Sequence, residues 1–79
     1  MLGFTLNQLV HKAAKCPLNE SFEVSLRDYA RLQIGFKELF DFLYNNEVGW
    51  FHIEHIQAPD INDDVVKITR CHEPTKTLH

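Results

Sequence analysis

Residues 25–46, SLRDYARLQIGFKELFDFLYNN, decide the fold, because they read either as one long helix or as two short helices with a turn between them. For one helix, Tyr29, Leu32, Phe36, Phe40 and Leu43 recur at three- and four-residue spacing, and a single internal Gly costs only about 1 kcal/mol. For two, Gly35 serves as an N-cap, Glu38 stands three residues later, and Ile34 with Leu39 forms a hydrophobic staple. The break also accounts for Ala30 and Ile34. In a continuous helix both point to the polar side, whereas a turn over residues 33–35 lets them pack into the angle between two helices. The break is therefore the preferred reading, and a single long helix is the alternative.

Upstream, helix starts are written clearly. Thr5 is an N-cap with Gln8 at the capping-box position, and Phe4 with Leu9 makes a staple, so a helix begins at Leu6. Leu6, Leu9, Val10 and Ala13 form its apolar stripe, Lys12 and Lys15 complement the negative end of its dipole, and Pro17 ends it after Cys16. Phe22 and Val24 alternate with Glu23 as a short strand, which leads into Ser25, the cap of the next helix, with Asp28 at the capping-box position and Val24 with Tyr29 as the staple.

Downstream, residues 36–46 bury Phe36, Leu39, Phe40 and Leu43 and leave Lys37, Glu38, Asp41, Phe42 and Asn45 on the other face. Asn45, Asn46 and Gly49 close the helix. Residues 50–57 alternate as a strand, with Phe51 and Ile53 on one side and Trp50, His52 and Glu54 on the other. After a loop over residues 58–64, residues 65–71 return as a partner strand, Val66 and Ile68 matching Phe51 and Ile53 in a hairpin. The expected class is α+β, in the order α-β-α-α-β-β, or α-β-α-β-β if the second helix is continuous.

The 79 residues amount to one small domain with an ordered core over about residues 4–72 and a mobile tail over residues 73–79. An apolar share of 44% supports a core, while so short a chain has little room to enclose a substrate cavity, so neither an enzyme nor a small-molecule binder is expected. Cys16 and Cys71 are too few for a disulfide scaffold and read as reduced, semi-buried thiols. No stretch approaches a membrane span and the first ten residues do not make a signal peptide, so a soluble, cytoplasmic protein is expected. The formal charge of −3 is the opposite of a nucleic-acid footprint.

Candidate metal and catalytic sets do not hold together. His52 and His55 fall on opposite faces of their strand, and a zinc site joining His55 and Cys71 across the hairpin needs one more ligand, so ordinary strand residues are the preferred reading. Asp60, Asn62 and Asp64 open like a calcium loop, but Val65 and Cys71 stand where a glycine and a glutamate are needed. Cys16, near His11, sits at a helix C-terminus, where the dipole disfavours a thiolate. No metal or cofactor is expected, and the acidic loop reads as a solvated turn.

The element order, carried by Ser25, Ala30 and Gly35 around the turn, by Leu39 and Leu43, and by Asn46, Glu47 and Val48 leading into the hairpin, resembles the winged helix-turn-helix superfamily. The interval from Ala30 to Gly35 is one residue longer than the superfamily's usual spacing. The resemblance implies either a DNA-binding regulator or a protein adaptor. For DNA the available cations are Arg27, Arg31, Lys37, Lys67 and Arg70, but Glu38 and Asp41 share the third helix with Lys37, and Asp60, Asp63 and Asp64 occupy the wing tip. Phe42, flanked by Glu38, Asp41 and Asn45, instead resembles an aromatic anchor with a polar rim. The expected function is protein binding, to another protein or a second copy, through Lys37, Glu38, Asp41, Phe42, Asn45 and Trp50, with DNA binding as the alternative.

Overall fold

A computed structural model describes residues 5–73, with elements in the order α1 (Leu6–Lys15), β1 (Ser21–Ser25), α2 (Leu26–Ala30), α3 (Phe36–Asn45), β2 (Trp50–Ile56) and β3 (Val65–Cys71), and a 3-10 turn over Ile61–Asp63. The expected Phe4 staple and the tail over residues 74–79 lie outside the described residues. The three strands form one antiparallel sheet in the order β1-β3-β2. None of the described helices is long and apolar enough to cross a membrane.

The helices start where the sequence predicts, although at Ser25 only half of the expected capping box forms. Thr5 Oγ1 accepts from the Gln8 N–H and the Gln8 side chain accepts from the Thr5 N–H, a complete capping box. Ser25 Oγ accepts from the Asp28 N–H at 3.1 Å. The chain breaks at Gly35, and Glu38 Oε1 accepts the Gly35 N–H at 3.0 Å. Gln33, at φ 53°, takes the left-handed conformation that turns α2 away from α3.

Leu9, Ala13, Val24, Tyr29, Leu39, Leu43, Phe51, Val66 and Ile68 form the core, so every α-helix and every strand contributes at least one side chain. Ile34 packs against it from the α2–α3 turn, whereas Ala30, expected in the same angle, is exposed. With α2 only five residues long, Ala30 is its last residue, and the turn that follows carries it to the outside.

The sheet exceeds the expected hairpin. β1 pairs with β3 over all five of its residues, Val24 opposite Val66 and Phe22 opposite Ile68, which makes β3 the central strand. The hairpin loop is also less solvated than expected: Asp64 is 5% exposed. Its Oδ1 accepts the Ala58 N–H and its Oδ2 accepts from His55 Nε2, each at 2.8 Å, while its carbonyl accepts the Leu26 N–H at the start of α2. The Ala58 N–H and then the His55 imidazole hold this carboxyl below its ordinary pKa against the opposing effect of burial.

Candidate functional site

Helical spacing sets the surface. Phe36, Phe40 and Tyr44 lie four residues apart and so follow one flank of α3, while Leu39 and Leu43 turn to the core. Phe42 is two positions from Tyr44, roughly 200° around the helix, and therefore lies on the other flank. The flank carrying Phe40 and Tyr44 faces the start of β2. There Trp50 stands edge-on to both rings, at centroid distances of 4.7 Å from Phe40 and 5.4 Å from Tyr44, and the latter two stack with ring planes 1° apart.

These rings lie outside the core. Tyr44 is 40% exposed, and Phe40 and Trp50 are half-buried. Strand alternation assigns Trp50 to the solvent side of the sheet, but α3 supplies two rings within reach, and their packing overrides that assignment. Shallow depressions open on either side of Trp50, one reaching Asn45 and Glu73, the other running between Lys37 and His52. Tyr44 donates its O–H to Glu73 Oε2 at 3.0 Å, and this bond with the nearby carboxylate charge raises the phenol pKa.

Of the six residues expected to bind protein, four border the cluster or belong to it. Trp50 is its centre, Asn45 lines one depression and Lys37 the other, and Lys37 Nζ meets Asp41 Oδ2 at 3.4 Å. Glu38 caps Gly35 instead, and Phe42, although 37% exposed, stands on the opposite flank. Sequence reasoning missed Tyr44 and assigned Phe40 wholly to the core. The available signal was the four-residue spacing from Phe36 through Phe40 to Tyr44, followed by Trp50 at the first strand position.

The five candidate DNA-contacting cations do not make one surface of free charge. Arg27 and Arg31 are exposed, but Lys37 is engaged by Asp41, and Lys67 stands in register between Glu23 and Glu54. Arg70 departs furthest from expectation. It reaches inward, donating from Nη1 to the Cys16 carbonyl at 2.7 Å and from Nη2 to the Val48 carbonyl, with its guanidinium 5.3 Å from the Phe51 ring centroid. A cation held by two carbonyls and a ring is poorly placed to reach a phosphate.

Among the described residues no three His, Cys, Asp or Glu side chains group where a metal ion could sit. His55 and Cys71 lie at opposite ends of the ladder, opposite Val66 and Trp50 respectively. Both cysteines are free thiols, Cys16 buried and Cys71 half-buried. No family model, no curated protein and no solved structure matches this chain.

Proposed function

We propose that this chain is a winged-helix-like, non-enzymatic interaction module that holds a partner protein through the aromatic face formed by Phe40, Tyr44 and Trp50. The observation carrying this reading is the partly exposed ring cluster, bordered by Lys37, Asp41, Asn45 and Glu73, in a chain whose core closes without it. Aromatic anchors within a polar rim are the composition that dominates protein interfaces. The order α-β-α-α-β-β with a three-stranded sheet supports the winged-helix reading, and the inward Arg70 and carboxylate-flanked Lys67 favour protein over DNA as the partner.

Affinity capture with the wild-type chain, Tyr44→Arg and Phe42→Asp in parallel tests the proposal. Tyr44→Arg should lose the bound protein, Phe42→Asp should keep it, and both should melt near wild type, because both positions are exposed. Equal retention by Tyr44→Arg rejects the face. So does binding of a mixed-sequence duplex, read by fluorescence anisotropy, that weakens steeply between low and moderate salt.

A further inference from the structure

We infer that the free edge of β2 pairs with β2 of a second copy of this chain, antiparallel about a two-fold axis at Ile53, to make a continuous six-stranded sheet. β2 has β3 on one side only, and among the described residues no backbone group of residues 50–56 bonds outside the sheet. Natural edge strands are usually blunted by Lys, Pro, a bulge or brevity. β2 has no Lys, Pro or bulge and is not short: its sequence is WFHIEHI, with Glu54 its one carboxylate, its register with β3 is unbroken, and it runs for seven residues. The opposite edge, β1, has five residues and presents Ser21, Glu23 and Ser25 outward.

The sequence of β2 selects both the partner and the register. Centred on Ile53, an antiparallel copy places His52 opposite Glu54 of the partner subunit, twice by symmetry, and Trp50 opposite Ile56 of the partner subunit, again twice. All seven residues are then paired: Ile53 meets its own copy, Phe51 meets His55 of the partner subunit, and the outer row sets an imidazole against a carboxylate and an indole against an isoleucine. Centring on His52 sets that imidazole against its own copy and Trp50 against a glutamate. Centring on Glu54 sets two carboxylates against each other. The side chains needed are accessible, with His52 64% and Glu54 42% exposed and Ile56 37% exposed; His52 Nε2 lies 3.8 Å from Glu54 Oε2 within the chain, and the two-fold sets a second such imidazole–carboxylate pair beside it. This pairing shares Trp50 with the aromatic face, but it needs no partner held on α3.

Sedimentation equilibrium of the purified full chain, from micromolar to millimolar concentration, tests the inference without any other protein present. Wild type should fit a monomer–dimer equilibrium. His52→Glu, which places two carboxylates opposite each other at both symmetric positions, should weaken it by about tenfold or more, while His52→Lys should leave it equal or tighter. Far-UV circular dichroism checks that both variants fold, and Ile56→Asp, which should also weaken the dimer, replaces His52→Glu if that variant does not. A wild-type chain that stays monomeric at millimolar concentration overturns the inference. So do His52→Glu and His52→Lys shifting the equilibrium alike.

Discussion

Tyr29 is 5% exposed, and its hydroxyl has no hydrogen-bond partner among the described residues. Its ring stays in place by packing, edge-on to Phe36 at 5.3 Å. Burial and then the Glu38 carboxylate push the phenol pKa from 10.0 up to about 12. In the unfolded chain the proton leaves near pH 10, while the folded chain holds it until about pH 12, so stability should fall as pH rises through that window. Tyr29→Phe removes both the unsatisfied group and its titration. It should match or exceed wild-type stability by up to about 1 kcal/mol at neutral pH and lose less stability between pH 10 and 12, as measured by urea denaturation at each pH. A loss at neutral pH would mean that the hydroxyl is satisfied in solution. Nothing in the sequence marks this residue as special: its helical spacing predicts burial, but whether a partner meets the hydroxyl depends on the packing of α2 against α3.

Among the elements, the end of α3 shows how a local motif can be anticipated in outline and still be placed on the wrong residue. The sequence predicts termination through Asn45, Asn46 and Gly49. The helix does stop there, but the left-handed residue is Glu47, at φ 60°. The Val48 N–H donates to the Leu43 carbonyl at 2.9 Å and the Glu47 N–H to the Tyr44 carbonyl at 3.1 Å, which together make a Schellman cap. Glycine ordinarily fills this position, because a side chain in left-handed backbone is strained. Glu47→Gly should therefore raise stability by about 0.5–1 kcal/mol, read as a shift in the denaturation midpoint at constant slope. A loss would show that the Glu47 side chain contributes more than its backbone strain costs. Gly49 serves a different purpose. Its φ is 154°, and a Cβ there would approach Arg70 Nη2 to 2.8 Å, so glycine leaves room for the arginine.

At the scale of the whole molecule Arg70 joins segments far apart in the chain. Its guanidinium holds the end of α1 through Cys16 and the α3–β2 turn through Val48, and covers Phe51. Its backbone N–H donates to the Glu20 carbonyl, and its own carbonyl accepts the Asn19 N–H, which fastens the segment before β1. Arg70→Ala breaks two charge-assisted bonds and a cation–π contact and should cost about 2–4 kcal/mol, measured by chemical denaturation. Arg31→Ala, at an exposed position, should cost little. Equal effects from the two would reject the bridging role of Arg70.

Local chemistry by itself determined where the helices begin and that Phe51, Ile53, Val66 and Ile68 share one side of a hairpin, and it favoured a break at Gly35 over one long helix. Capping boxes, staples and strand alternation act over a few residues, so their outcome can be read from adjacent letters. Only the tertiary structure decided that β1 joins the sheet beside β3, that Asp64 is buried against His55, that Arg70 turns inward, and that Trp50 leaves the solvent side to meet Phe40 and Tyr44. Each of those outcomes depends on a partner brought close by folding. A charged or aromatic side chain occupies a compact interior only where its bonds and contacts offset the loss of water, and those partners are assembled by the packing of all the elements together.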